Sequence, residues 1–291
     1  EGDEPRQRVA PPRPYQTLRQ LEEVASAIAA DATAPFTTDW GDADPGIYLA
    51  RTAAIAGSAG PLHSALDGAR VTVVPALFVH RFASMRGQLR GDLLEIIPSD
   101  ARSILEFGCG EGALAEALKL RQRCRVVGVE LDPEAEAAAR ARVDRLIAGD
   151  VRKVVDEVDE RFDWIIGGDI LEHLDEPWTF LQRLRRLAAP GGHLLLSLPN
   201  VSSWPVVSDL LRGRFDYVYM GILCAGHLRF FTRRTIEEML SIAGWQLVEL
   251  RSQTPILTPE FEDLRTKLDA ANLEYSIDDL TAPGWYVIAR N

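Results

Sequence analysis

The chain has 291 residues, 46% of them hydrophobic, and a formal net charge of −11. That length allows one large domain or a domain with a substantial appendage, and the apolar content fills a sizeable core. The negative balance disfavours nucleic acid as a partner, because nucleic-acid affinity rests on neutralising phosphates, and no stretch reaches the roughly 18 consecutive apolar residues of a membrane span.

In chain order, Glu1-Gly2-Asp3-Glu4 lacks the basic-then-apolar layout of a secretion signal. The chain begins at Glu1 rather than Met, as one cut from a longer protein would. Residues 1–14 are polar and carry Pro5, Pro11, Pro12 and Pro14, a lead-in with nothing to bury. From Tyr15 to Ala30, Leu18, Leu21, Val24 and Ile28 recur at helical spacing. Val71–Phe82 is apolar but interrupted by Pro75, and Arg86–Ile97 reads as a helix entering the next domain. Residues 1–95 are therefore expected to form a largely helical extension, a cap over the carboxyl ends of the strands or a homodimerisation element. The cysteines Cys109, Cys124 and Cys224 have no metal-ligand spacing. They read as small, half-buried packing residues in a reducing, cytoplasmic setting.

Residues 96–291 read differently. Short apolar runs at Ser103–Phe107, Arg125–Glu130, Arg145–Ala148, Trp164–Gly168, His193–Leu198, Trp245–Leu250 and Trp285–Ala289 are separated by helical segments. The alternation predicts an α/β domain with a doubly wound, mostly parallel seven-stranded sheet. A longer helical insertion, Pro259–Ala271, precedes the last strand.

The first of these strands runs into Gly108-Cys109-Gly110-Glu111-Gly112 and then the helix Ala113–Leu120. Glycines there permit a tight turn against which a ligand can lie on bare backbone, and the helix start offers unpaired amides. Glu130 ends the second strand, where a carboxylate can accept ribose hydroxyls; Asp150 ends the third, placed for an adenine amino group or for capping the helix that follows. Gly108, Gly110 and Ala113 also satisfy the dinucleotide pattern, so an NAD-type Rossmann dehydrogenase explains the loop and Glu130 equally well.

Further motifs follow in order: Phe162-Asp163-Trp164-Ile165-Ile166, Asp169-Ile170-Leu171-Glu172-His173-Leu174, Leu187-Ala188-Ala189-Pro190-Gly191-Gly192 and Leu198-Pro199-Asn200. With the loop at Glu106–Gly112, they resemble class I S-adenosylmethionine-dependent methyltransferases over roughly residues 100–291. The resemblance implies a Rossmann-like methyltransferase fold. It implies cofactor contacts from Glu106, Gly108, Cys109, Gly110, Gly112, Glu130, Leu131, Asp150, Val151 and Asp169. The segment Arg212–Tyr217, then Gly221-Ile222-Leu223 and His227–Thr232, is similar to bacterial methyltransferases associated with sugar or cell-envelope glycoconjugate modification. Those relatives often carry Asp, Arg and Thr where this chain has Cys224, Ala225 and Gly226.

Transfer to a hydroxyl needs a group that accepts its proton, and His173 and His227 are the candidate general bases. Asp169, Glu172 and His173 have i, i+3, i+4 spacing, which gathers them on one face if the segment is helical. This segment resembles ubiquinone-pathway O-methyltransferases and small-RNA terminal 2′-O-methyltransferases. The resemblance implies a Mg²⁺ or Mn²⁺ site from Asp169, Glu172 and His173, with His227 as a further ligand, able to orient a diol. Arg212, Arg214, Arg229, Arg233 and Arg234 are candidates for a phosphorylated or nucleotide-linked acceptor, and Phe215, Tyr217 and Tyr219 for stacking on a ring. The expected activity is methyl transfer from S-adenosylmethionine to a small molecule, a hydroxyl of a sugar or glycoconjugate precursor. The alternatives are the dehydrogenase and a non-catalytic cofactor-binding scaffold.

Overall fold

The computed structural model describes residues 87–215, 221–224 and 226–291, together with a parallel pairing of Arg8–Val9 with Thr37–Thr38. The expected helix at Tyr15–Ala30, the apolar run Val71–Phe82, and Tyr217 and Tyr219 lie outside the described residues. The chain divides into one unit of residues 85–214 and 227–291 and another of residues 1–84 and 215–226. The assignment of residues 1–95 as cap and 96–291 as cofactor domain stands as a proposal.

The larger unit is built on β1 (Ser103–Phe107), β2 (Arg125–Glu130), β3 (Arg145–Ala148), β4 (Phe162–Gly168), β5 (Ala188–Pro199), β6 (Gln246–Ser252) and β7 (Gly284–Arg290). They lie in the order β3-β2-β1-β4-β5-β7-β6. The first five are parallel, whereas β7 runs antiparallel between β5 and β6. A dinucleotide-binding sheet has the order 3-2-1-4-5-6, so the inserted antiparallel strand separates this fold from the dehydrogenase alternative. The runs of adjacent apolar residues form strands here because both faces of the sheet are covered. Leu105, Phe107, Val127 and Ile165 join one core with Leu184, Met239 and Trp245. Their neighbours Ile104, Val126 and Ile166 join the other with Leu93, Leu114 and Leu118. The lack of a side chain at Gly167 accommodates Phe107, whose ring would lie 2.0 Å from an added Cβ.

The helices are α1 (Gly91–Ile96), α2 (Ala113–Arg121), α3 (Glu136–Arg142), α4 (Val151–Val154), α5 (Pro177–Leu184), α6 (Trp204–Leu211), α7 (Arg233–Ala243), α8 (Pro259–Ala270) and α9 (Ile277–Thr281). α7 starts in a reciprocal cap between Thr232 and Thr235 and stops at left-handed Gly244, which is why its bounds are sharp. α1 is shorter than the expected helix, since residues 87–90 are not helical. Gly87 and Gly91 weaken helix propagation there, and the Arg90 backbone, at φ −81 and ψ 71, breaks it. Cys109 and Cys224 are buried rather than half-buried, and Cys124 is intermediate. No helix among the described residues is long and apolar enough to cross a membrane.

Candidate active site at the carboxyl ends of the strands

β1 ends in a loop folded tightly back on β2. The Gly108 and Cys109 amides both donate to the Val129 carbonyl, at 2.8 and 3.1 Å, and the Gly112 amide donates to the Cys109 carbonyl at 2.8 Å. Gly108, Gly110 and Gly112 all have positive φ, 73°, 53° and 79°, which glycine adopts without strain. Glu130 fastens the loop: one carboxylate oxygen accepts from the Gly110 amide at 2.7 Å, the other from the Asp132 amide at 2.8 Å. Two acceptor positions of the carboxylate remain. The Cys109 side chain turns into the core over Gly128, where an added Cβ would lie 2.7 Å from its sulfur. Burial pushes that thiol up, and the charges of Glu106 and Glu130 add to the effect. Only the Cys109 backbone is left to meet a ligand, and Leu131 is exposed.

Asp150 caps α4 through the Arg152 amide at 3.0 Å and pairs with the Arg152 guanidinium, which holds its pKa below the usual carboxylate range despite burial. Val151 beside it packs partly buried on the core.

Glu106 is buried beneath this loop, and one of its carboxyl oxygens has no hydrogen-bond partner among the described residues. Burial and the charge of Glu130 raise its pKa from an ordinary 4.5 to about 8, against the pull of Arg90. The folded chain thus holds a proton that the unfolded chain has lost between those values. Stability is full below the ordinary value and declines as pH rises towards 8, by up to about 1.4 kcal/mol per pH unit. Glu106→Gln is expected to flatten that decline in denaturant midpoints taken from pH 5 to 8. Parallel profiles for the two proteins would contradict the assignment.

Arg90, just before α1, reaches the end of β4. Its Nη1 donates to Asp169 Oδ2 at 2.7 Å, and its Nη2 donates to Ser197 Oγ at 3.1 Å. Ser197 in turn donates to Asp169 Oδ1 at 2.9 Å. The sequence gives no signal for Arg90: Asp169 is 79 residues away and Ser197 107.

The expected four-ligand cluster is only partly assembled. Glu172, His173 and His227 converge with one ligand atom each within 4.8 Å of the others, and the two imidazoles stand edge to face at 4.9 Å. Asp169 is not in this group. It sits at φ 53, outside the short 3-10 turn Leu171–His173, so the helical spacing that would gather it with Glu172 fails, and Arg90 and Ser197 take its carboxylate. Glu172 is buried with one oxygen lacking a hydrogen-bond partner among the described residues, and burial followed by the charge of Asp169 raises its pKa well above the ordinary range. The amides of Leu228 and Arg229 both donate to the Glu172 carbonyl, at 2.7 and 3.0 Å, which brings His227 to the turn.

The candidate phosphate-binding arginines are taken up elsewhere. Arg212 bonds Ser208, Arg214 lies near Asp209, and Arg229 bonds the Asp175 carbonyl. Arg233 pairs with Asp279 at 2.6 Å over the Trp285 ring, and exposed Arg234 pairs with Glu238 one turn on. Asn200 is buried and ties the end of β5 to the Asp279 and Ala282 carbonyls, a structural part.

A family model described as a methyltransferase domain matches residues 79–250. A ubiquinone biosynthesis O-methyltransferase of Azorhizobium caulinodans is 27% identical over 201 residues, 67% of this chain and 75% of that one. A protein of the same name from Bradyrhizobium diazoefficiens is 35% identical over 101 residues, covering 33% of this chain and 40% of its own length. The chain spans 46% or less of most of these relatives. Among solved structures, a SAM-dependent methyltransferase from Archaeoglobus fulgidus superposes with a TM-score of 0.51 at 16% identity, over 71% of this chain and 94% of that one. That likeness shows the fold. With the glycine loop and the β3-β2-β1-β4-β5-β7-β6 sheet, the match over residues 79–250 places the chain in the methyltransferase domain family, with a class I methyltransferase-like domain.

Proposed function

We propose that the protein methylates a hydroxyl oxygen of a small molecule carrying two neighbouring oxygens, with S-adenosylmethionine lying across residues 108–112. The cofactor brings a methyl group already activated as a sulfonium, so the chain's task is alignment, which can contribute on the order of 7–11 kcal/mol. Backbone at Gly108, Cys109, Gly110 and Gly112 offers the bare surface, and Glu130 has acceptor positions left for ribose hydroxyls. Leu131 and Val151 offer apolar contact to adenine, and Asp150 accepts from its amino group beside Arg152. Arg90 and Asp169 form a pair of opposite charges at 2.7 Å. The zwitterionic amino-acid end of the cofactor matches that pair, its carboxylate facing Arg90 and its ammonium facing Asp169, so charge is conserved when it inserts.

The convergence of Glu172, His173 and His227 carries the choice of oxygen as the methylated atom. A carboxyl with a partnerless buried oxygen beside two imidazoles is a donor set that fits a divalent cation. Mg²⁺ or Mn²⁺ there would hold neighbouring oxygens and make a hydroxyl easier to deprotonate. Without a cation, an imidazole of the pair would be the group to accept the hydroxyl proton. The relatives named as ubiquinone biosynthesis O-methyltransferases support an oxygen acceptor. Sugars and ring diols both offer neighbouring oxygens; the engaged arginines give a phosphate group no special support.

Transfer from methyl-labelled S-adenosylmethionine to a catechol, a sugar cis-diol and a primary amine tests this, each with Mg²⁺, Mn²⁺ or chelator. Labelling of a diol, lost on chelation, is expected. Full activity in chelator would remove the cation, and labelling of the amine alone would remove the oxygen acceptor.

A further inference from the structure

The Arg90 guanidinium lies on a row that strand register builds. Gly168 on β4 pairs with Ser197 on β5, and Ser197 pairs with Tyr286 on β7. Glycine at 168 makes room for it, since an added Cβ would come within 2.7 Å of Arg90 Nη1. On the edge away from Asp169, Asp92 in the first turn of α1 grips the same guanidinium, with Nε to Oδ1 at 3.0 Å and Nη2 to Oδ2 at 2.7 Å. Asp92 is itself held: Tyr286 donates its hydroxyl to Oδ2 at 2.8 Å.

The two ends of Arg90 therefore differ in kind. The Asp169 end is an exchangeable pair with a half-exposed carboxylate, its side chain 47% exposed. The Asp92 end is a two-point grip that orients the planar fork, anchored to the sheet through Tyr286. Burial works against the charge on Arg90, and the hydrogen bond it donates to Asp92 together with the fields of Asp169 and Asp92 overcomes it, so the pKa is raised. Burial and the bond to Asp92 likewise push the Tyr286 hydroxyl up to about 12, so it stays a donor at neutral pH.

We propose that Asp92 and Tyr286 are positioning residues for the cofactor, keeping the free edge of Arg90 aimed at the amino-acid end of S-adenosylmethionine when Asp169 changes partner. This rests on the reading of Arg90 and Asp169 given above. A flexible arginine without that grip would spread over many rotamers, and binding would have to reorder it.

Titration calorimetry of the full chain with S-adenosylhomocysteine, and with 5′-methylthioadenosine, which lacks the amino-acid end, tests the proposal. Asp92→Asn is expected to weaken S-adenosylhomocysteine about tenfold and Tyr286→Phe a few-fold, with methylthioadenosine affinity unchanged in both. Arg90→Gln with Asp92→Asn should bind no more weakly than Arg90→Gln alone, because Asp92 acts through Arg90. Equal weakening of both ligands by Asp92→Asn would make the residue merely structural and overturn the proposal. Unchanged S-adenosylhomocysteine binding in Asp92→Asn, with Arg90→Gln impaired, would overturn it while leaving the cofactor reading standing. Unchanged binding in Arg90→Gln would overturn both.

Discussion

Replacing Gly110 with valine is expected to lower affinity for S-adenosylhomocysteine about 100-fold or more while the domain stays folded. Gly110 holds φ +53, a conformation in which a β-branched residue is an outlier, with a cost on the order of 1–3 kcal/mol. The loop can relieve that strain only by moving its backbone. The Gly110 amide is the group that fixes Glu130 at 2.7 Å, so one displacement disturbs both the surface for the cofactor and the carboxylate for its ribose. Calorimetry gives the affinity and far-ultraviolet circular dichroism the fold. An unchanged Kd in a folded variant would mean that the ligand does not lie against this loop.

His227→Ala is expected to leave S-adenosylhomocysteine affinity unchanged and to cut kcat by roughly 10²–10⁴-fold, the usual range for losing a positioned proton acceptor. The two backbone bonds that hold this segment, from the Leu228 and Arg229 amides to the Glu172 carbonyl, do not involve the imidazole and survive the substitution. The side chain can thus be removed without breaking those two bonds. Single-turnover rates with saturating cofactor separate the two quantities. Loss of cofactor binding equal to the loss of rate would make His227 an anchor, and an unchanged rate would make it a bystander.

Local chemistry was the legible part of this molecule. The glycine loop, Glu130 and the Asp150 cap are each set by a few adjacent residues at strand ends, and the structure puts them side by side because β1, β2 and β3 are neighbours. The Glu172, His173 and His227 convergence was half legible: two members are adjacent in sequence, and the third arrives through backbone bonds that no side-chain pattern announces. Asp169 misled because its spacing suits a helix, whereas a non-glycine residue at positive φ breaks the turn just before it begins. Arg90 was invisible. Its place depends on Gly168, Ser197 and Tyr286 falling in one row: Gly168 meets Ser197 through the parallel β4–β5 register, and Ser197 meets Tyr286 through an antiparallel β7 whose direction the apolar pattern of Trp285–Ala289 does not encode. Phe107 and Gly167 show the same limit, since their fit is a cross-strand property.

A crystal structure of the protein grown with S-adenosylhomocysteine bears most directly on the cofactor pocket. The nucleoside should lie along residues 108–112, its ribose hydroxyls on the Glu130 carboxylate and its amino-acid end between Arg90 and Asp169. Ligand density away from that loop, or a ribose not held by Glu130, would contradict the account.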